Sequence, residues 1–198
     1  MILKVLQTGE DILRRKAKKL TVSQIKSEET QRLIDLMIAT LRDKPGVGLA
    51  APQVGESVQI VIIEDKKKYL ESISNDLLKA QHRIPVPLTV IINPVLTVES
   101  EKDELFFEGC LSVEGYMAIT PRARNVRVTG LDREGKPMTL KAEGWLARIL
   151  QHEIDHLNGS LYVDTMMPRT MINDKYYAAK WKQAHPKELN DFIEKQHE

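Results

Sequence analysis

The sequence predicts a single domain of the α+β class, in which antiparallel β-strands pack around a central helix and another helix follows near the C-terminus. Two patterns lead to this prediction. Apolar residues recur at helical spacing in separate segments, and runs rich in β-branched residues lie between those segments. No internal repeat or low-complexity linker divides the 198 residues, so we expect one domain over 1–198.

The N-terminal half is expected to contain one helix and two strands. The helix covers 22–42, where five apolar residues share one face: Leu33, Ile34, Met37, Ile38 and Leu41. Asp43 and Pro45 end this pattern with a breaker and a turn. Strands are predicted at 58–63 and at 88–98, because both segments are rich in valine and isoleucine.

Between these strands, residues 65–83 form a polar stretch that is expected to be a solvated surface insertion with some helix. Further along, 124–132 and 137–142 flank a glycine-containing turn and predict a β-hairpin. The remaining predicted elements are a helix over 143–157 that ends at Asn158-Gly159, a short strand at 161–163, and a helix over 187–196 within a C-terminal extension, 168–198.

Composition limits the possible partners and compartment. The net charge of +1 arises from 29 basic and 28 acidic residues, so neither nucleic acid nor an anionic membrane is expected as a partner. A single cysteine cannot form an intrachain disulfide, which favours a reducing compartment. The first residues do not resemble a secretory or transit segment. We therefore expect a reducing, cytosol-like compartment, with an organellar matrix as the alternative.

The predicted helix at 143–157 carries two histidines and a glutamate in the order H-E-x-x-H. His152 and His156 are four residues apart and therefore lie on one helix face, where both imidazoles can bind one metal ion. Glu153 can lie beside that ion and accept a proton from water. This spacing is typical of metal-dependent hydrolases.

The third ligand would decide the kind of metal site. Cys110, in the segment Glu-Gly-Cys-Leu-Ser, is the best candidate because a thiolate binds borderline divalent metals strongly. The alternative reading of a lone cysteine is a small buried apolar residue. One peptidase pattern would need a histidine where Tyr162 stands, and another would use a downstream glutamate, for which Glu188 is formally available.

A third motif, 46–55 with Gln53, joins those at 108–113 and 151–156. In this order and at these spacings, the three motifs resemble the peptide deformylase family, and the resemblance extends from about residue 3 to residue 167. It implies a metal-dependent hydrolase that removes the formyl group from the N-terminal formylmethionine of newly made polypeptides and releases formate.

The resemblance also implies individual roles. Cys110, His152 and His156 would bind one ion per chain, usually Fe²⁺, which Zn²⁺, Ni²⁺ or Co²⁺ can replace. Glu153 would act as general base and then as general acid. The Gln53 side chain and the Leu111 N–H would stabilise the negative charge that develops on the formyl oxygen.

For substrate binding, the resemblance implies that the peptide pairs with the main chain near Val47 and Gly48, as an added strand. Further substrate-binding residues would be Glu108, Gly109, Trp145 and Ile149. The rim of the methionine pocket would lie near Trp145, Arg148 and Ile149. Trp145 can equally be explained as packing between helix and sheet.

The sequence departs from many bacterial members at Glu114 and Met117, where those members carry proline and arginine. The segment 144–149 is more similar to the mitochondrial and plant-organelle branch. Two other functions stay open at this point: a zinc peptidase, and a catalytically silent binder of nascent N-termini. The segment after residue 167 could make a transient ribosome contact or could be a plain solvated helix.

Overall fold

The computed structural model describes residues 2–100 and 103–196, and the strands within them form two antiparallel sheets. The larger sheet has the order β1-β2-β3-β6-β7 and the smaller one the order β4-β5-β8. The strands are β1 (Gly48–Ala50), β2 (Ile60–Asp65), β3 (Val86–Val98), β4 (Asp103–Cys110), β5 (Val113–Ala123), β6 (Asn125–Leu131), β7 (Pro137–Glu143) and β8 (Ile172–Asn173).

Helices cover the sheets and connect them. They are α1 (Val22–Ile25), α2 (Glu28–Asp43), α3 (Lys67–Leu70), α4 (Asn75–Ala80), α5 (Gly144–Leu157), α6 (Asp174–Lys180) and α7 (Pro186–Lys195). Short 3₁₀ turns occupy Asp11–Arg14, Ala51–Val54, Tyr162–Asp164 and Pro168–Thr170. The predicted α+β class, with antiparallel strands around a central helix and a helix near the C-terminus, is confirmed.

Helix α5 is the central element, because it contacts strands of both sheets. Its apolar residues join the larger sheet in one buried cluster, which includes Ala147, Leu150, Leu157, Val61, Ile63, Ile91, Val126 and Val128. Burial on this scale contributes about 25 cal/mol per Å² of apolar surface and fixes the helix between the sheets. The side chains on its remaining face are therefore held in a defined position.

Both ends of α5 depend on glycine. Gly144 has a φ of +59°, and a Cβ there would overlap the Gln81 carbonyl oxygen and lie 2.6 Å from the Cβ of His82. The helix ends at Asn158, and Gly159 follows with a φ of +77°, as the sequence predicted. These glycines allow the helix to begin and end at close backbone contacts.

Several predicted elements are confirmed with small shifts in their bounds. The strands expected at 58–63 and 88–98 are β2 and β3, and the expected hairpin is β6 and β7. The helix expected at 22–42 is instead two helices, because Ser27 interrupts it. The Ser27 side chain accepts a hydrogen bond from the Thr30 N–H at 3.2 Å and so begins α2.

The strand expected at 161–163 is wrong. The Asp164 carboxylate accepts a hydrogen bond from the Leu161 N–H at 2.8 Å, which closes a 3₁₀ turn instead. The sequence analysis also predicted no strand at 103–123, where β4 and β5 form most of the smaller sheet, and no helix at the position of α6. Within 65–83, α3 and α4 are short helices, and Leu70 and Leu77 are buried.

Candidate active site

The three candidate metal ligands converge although they come from two distant parts of the chain. Cys110 is the last residue of β4, and His152 and His156 project from one face of α5. One ligand atom from each lies within 4.8 Å of the other two, and the Cys110 Sγ lies 3.3 Å from the His156 Nε2. These distances match a single ion bound by three side chains.

The donor set also fits a metal ion chemically. Burial and the charges of His152 and Arg122 hold the pKa of His156 well below its usual value, so this ring is neutral, which is the form that binds metals. Although burial opposes a charge on His152, hydrogen bonding with Cys110 and Glu108 raises its pKa well above the usual value. The cluster therefore stabilises a proton on His152, which a bound metal ion would replace.

Glu108 orients His152 from behind. Its Oε2 lies 3.0 Å from the His152 Nδ1, which leaves the Nε2 of that ring directed toward Cys110. Burial would raise the pKa of Glu108, but the hydrogen bonds and charges of His152 and Arg122 hold it well below its usual range. Glu108 is therefore a carboxylate. A ligand histidine that donates its second N–H to a carboxylate is a common arrangement in metal sites.

Two arginines that the sequence reading did not assign to the metal site hold Glu108 in place. Arg122 donates to both Glu108 oxygens, at 2.9 and 3.0 Å, and to Asp155 at 2.5 Å. Arg148 donates to Glu108 at 2.7 Å and to the carbonyl oxygens of Thr120 and Glu104 at 2.8 and 2.6 Å. Arg148 was expected only near the rim of the substrate pocket. Its position one turn before His152 is a local signal for this role.

Glu153 is 4% exposed, and its Oε2 has no hydrogen-bond partner among the described residues. Burial raises its pKa to about 7. The carboxylate lies against Gly48 of β1, where a Cβ would come within 2.5 Å of the Glu153 Cδ. An uncommitted buried carboxylate beside two imidazoles has the position that a proton carrier needs.

Gln53 and Leu111 lie beside the same cluster. The Gln53 Oε1 accepts the Ala50 N–H at 2.9 Å, and its Nε2 lies 3.1 Å from the Ser112 Oγ and 3.6 Å from the Cys110 Sγ. The Gln53 amide is thus fixed with its N–H₂ group toward the Cys110 sulfur. Leu111 follows Cys110 directly, and its side chain packs against Gly46.

A cleft of about 790 Å³ opens over these residues. The six expected substrate-binding residues all line it: Val47, Gly48, Glu108, Gly109, Trp145 and Ile149. Trp145 also packs under Arg83, whose guanidinium carbon lies 4.5 Å from the ring centroid. Residues of the 65–83 insertion and of α6 line the cleft as well, and the sequence reading did not anticipate them.

The two alternative third-ligand positions lie in other environments. Glu188 is exposed in α7, where its Oε1 accepts the His185 N–H at 3.5 Å. Tyr162 is buried with its ring 6.2 Å from that of His152, and its hydroxyl donates to the Tyr116 carbonyl oxygen at 3.0 Å. Tyr162 thus supports a ligand histidine by packing.

Two imidazoles and a buried carboxylate on a central helix, with a cysteine from β4 beside them, define the class of metal-dependent hydrolases with an H-E-x-x-H helix. The polypeptide deformylase family model matches residues 2–171. The chain belongs to this family.

Individual proteins that are similar to this chain are also named peptide deformylases. The chain is 48% identical over 166 residues to a peptide deformylase 1A, chloroplastic, of Solanum lycopersicum, a match that covers 84% of this chain and 60% of that protein. It is 49% identical to a chloroplastic/mitochondrial peptide deformylase 1A of Arabidopsis thaliana, covering 84% of this chain and 62% of that protein. Its match therefore spans less than two thirds of the length of these plant relatives.

Among solved structures, a Met-Ala-Ser-bound class I type b peptide deformylase from Acinetobacter baumannii has a TM-score of 0.74 with this chain. The two are 33% identical, and the match covers 84% of this chain and 99% of that one. Among the helices of residues 2–100 and 103–196, none has the length and apolar character needed to cross a membrane.

Proposed function

We propose that this protein hydrolyses the N-formyl group of formylmethionyl peptides, as a metal-dependent peptide deformylase. The observation that carries this proposal is the convergence of Cys110, His152 and His156 beside a buried, uncommitted Glu153 carboxylate. Membership of the polypeptide deformylase family supports it. The substrates are the N-termini of newly synthesised polypeptides.

A divalent ion held by Cys110, His152 and His156 would supply a Lewis acid that activates water near neutral pH. Glu153 accepts the proton of the attacking water and later donates it to the departing amine. Its burial keeps the carboxylate dry, and Gly48 leaves room for it beside the peptide.

Attack on the formyl carbon places negative charge on the formyl oxygen. The Gln53 Nε2 and the Leu111 N–H donate to that oxygen, and by comparison with other oxyanion sites each such donor contributes roughly 2.7–4 kcal/mol. The Gln53 amide is already oriented, since its carbonyl oxygen is bound by the Ala50 N–H. Val47 and Gly48 offer main chain to an extended peptide, while Glu108, Gly109, Trp145 and Ile149 border the side-chain pocket.

We further propose Fe²⁺ as the native ion, with Zn²⁺, Ni²⁺ or Co²⁺ as replacements, because a thiolate with two imidazoles accepts all of these metals. The compartment proposed is a bacterial cytosol, with an organellar matrix as the alternative; the single cysteine suits a reducing environment. We also propose that residues 1–198 form one catalytic domain with a surface insertion at 65–83 and a C-terminal extension at 168–198. A transient ribosome contact through that extension is part of the same proposal.

The test is formate release from formyl-Met-Ala-Ser against acetyl-Met-Ala-Ser, with anaerobically purified protein of known metal content. Release from the formyl peptide alone supports deformylation. A second comparison uses Glu153→Gln, which keeps the size of the side chain but cannot accept the proton; we expect metal content to persist and turnover to fall by about 10²–10⁴-fold. Full turnover in Glu153→Gln, or cleavage of internal peptide bonds, would contradict the proposal.

A further inference from the structure

The 65–83 insertion and the C-terminal segment 172–196 meet along one side of the cleft, and the segment lies beyond the residues that the family model matches. Four hydrogen bonds join them: Ser74 N to Lys182 O at 3.3 Å, Ser74 Oγ to Ala184 O at 3.4 Å, Gln183 Nε2 to Ser72 O at 2.6 Å, and Lys182 Nζ to Ser72 Oγ at 3.3 Å. We call the cleft-lining part of this pair the accessory wall, formed by Lys68, Ser72, Ile73, Asp174, Tyr177 and Lys182.

The insertion is anchored to the helix that carries the site. Asp65 and Arg83 stand at its two ends and form a buried ion pair at 2.8 Å, with side chains 0% and 9% exposed. The Arg83 guanidinium stacks on Trp145 of α5, and the Trp145 N–H donates to the Gln81 carbonyl oxygen at 2.8 Å. The insertion therefore has a fixed position relative to His152 and Glu153.

The C-terminal segment is anchored to the strand that carries Cys110. Phe107 of β4 lies three residues before that cysteine and contacts three rings of the segment, those of Tyr177, Trp181 and Phe192, at centroid distances of 5.4, 5.6 and 6.1 Å. Trp181 is 4% exposed. Aromatic contacts of this kind hold α6 and α7 on the sheet. The accessory wall is thus held in a fixed position in the cleft.

The accessory wall carries excess positive charge, with two lysines and one carboxylate among its six residues. The Lys182 Nζ donates to a hydroxyl, and the Lys68 Nζ lies 5.3 Å from the Tyr69 ring centroid. Both contacts are with neutral groups, and neither ammonium forms an ion pair with a carboxylate among the described residues. The accessory wall has one carboxylate, Asp174, in the first turn of α6, where the helix N-terminus partly offsets its charge.

We propose that the accessory wall contacts the residues that follow the formylmethionine and favours acidic ones through Lys68 and Lys182. This proposal rests on the proposed function. Glu153, which lines the cleft, is 4% exposed, whereas Lys68 on the accessory wall is exposed and Lys182 is half-buried. A peptide whose first residue lies beside Glu153 must run toward the exposed part of the cleft lining, and the accessory wall belongs to that part.

The experiment compares kcat/KM for two C-terminally amidated peptides, formyl-Met-Ala-Asp-Asp and formyl-Met-Ala-Lys-Lys. Amidation removes the terminal carboxylate, so only the side-chain charges differ. We expect the wild-type protein to prefer the acidic peptide through a lower KM, because this contact is remote from the reacting atoms. The preference should weaken as salt shortens the Debye length from about 10 Å at 0.1 M to about 3 Å at 1 M.

Lys182→Glu should lower the ratio of the two kcat/KM values by roughly two- to fivefold, the range of exposed charge pairs. Lys187→Glu is the matched control, because it makes the same change in net charge at an exposed position of α7 that does not line the cleft. Lys182→Met, a neutral change, should give an intermediate ratio.

Equal ratios for Lys182→Glu and Lys187→Glu would overturn the inference, as would a wild-type ratio of one. Those results would leave the proposed function standing, since both peptides would still release formate. If neither peptide releases formate while the metal is bound, the proposed function and this inference would both be overturned.

Discussion

Gly48 of β1 and Glu153 of α5 are in direct contact, and any larger residue at position 48 would have to displace the Glu153 side chain. A Cβ there would overlap the Glu153 Oε1 and lie 2.5 Å from its Cδ and 2.7 Å from its Cγ. The backbone proposed to pair with the peptide is therefore the same backbone that leaves space for the carboxylate. We therefore expect substrate position and proton transfer to be coupled through this contact.

Gly48→Ala should displace the Glu153 carboxylate and lower turnover by at least about tenfold, a part of the 10²–10⁴-fold that a general base contributes. Metal content should not change, since Gly48 does not contact Cys110 or the histidines through a side chain. The measurement is kcat/KM for formyl-Met-Ala-Ser together with metal stoichiometry.

A double variant separates this effect from general damage at β1. If Gly48→Ala acts through Glu153, then adding it to Glu153→Gln should cost little further activity, because contacting residues are not additive. Independent, fully additive losses in the double variant would disprove the coupling. Gly9→Ala controls for backbone strain away from the site, because a Cβ there meets no atom within 4 Å but the φ of +112° is unfavourable for alanine; we expect it to leave turnover unchanged.

Arg148 should be a major contributor to stability. It is 3% exposed and joins β4, β5 and α5 through Glu108 and two carbonyl oxygens. Removing one partner of a buried ion pair costs about 3–5 kcal/mol when the other charge is left unpaired, and leaving a buried polar group without a partner costs about 1–3 kcal/mol. Because Glu108 keeps Arg122 and His152 while two carbonyl oxygens lose a donor, we expect Arg148→Met to lower the free energy of unfolding by about 2–4 kcal/mol, measured by urea denaturation.

The matched control is Arg127→Met. Arg127 pairs with Glu99 at 2.8 Å, but both side chains are 37% exposed, and such surface pairs contribute at most about 1 kcal/mol. Arg148→Lys keeps the charge but loses the planar group of donors, so we expect it to recover only part of the stability. Equal losses for Arg148→Met and Arg127→Met would contradict this account.

The acid side of the stability profile should depend on Glu64 of β2. Its hydrogen bond with Arg42, joined by Lys66, holds the Glu64 pKa below its usual value despite partial burial. Because the folded state binds this proton less readily than the unfolded state, Glu64 stabilises the fold above the unfolded pKa of about 4.3, and this stability is lost as pH falls through the lower folded pKa.

Arg42→Gln should therefore reduce the loss of stability as pH falls below the unfolded pKa of about 4.3, without abolishing it, because Lys66 still contacts Glu64 at 3.3 Å. The measurement is the urea midpoint as a function of pH. Arg32→Gln, at an exposed position of the same helix, should keep the wild-type slope. An unchanged slope in Arg42→Gln would show that other carboxylates control the acid limb.

The spacing of His152, Glu153 and His156 could be predicted from the sequence, because residues four apart on a helix are neighbours whatever the rest of the fold does. The contacts that surround these residues could not be predicted from the sequence. Arg148 meets Glu108 across 40 positions in the chain, and periodicity indicates that a residue is buried without naming its partner. The strand wrongly expected at 161–163 failed for a local reason, since the Asp164 side chain competes for the Leu161 N–H.

The metal site gives a last prediction that does not depend on activity. Cys110 is the single cysteine of the chain, so every reaction of a thiol reagent reports on this residue alone. An ion bound to the thiolate should protect it, and removal by a chelator should make it reactive. We expect less than about a tenth of the thiol to react in the loaded protein and nearly all of it after chelation, with protection restored by Ni²⁺ or Zn²⁺.

Two histidine variants test whether this protection comes from the proposed ligands. Cys110 should react without chelation in His156→Ala, whereas it should stay protected in His185→Ala, since His185 lies at the start of α7. If the native ion is Fe²⁺, exposure to air should also release this protection over time, and the Ni²⁺-loaded protein should resist air. Equal reactivity of Cys110 before and after chelation, in protein shown to contain metal, would mean that the ion is held elsewhere and would overturn the assignment of this ligand.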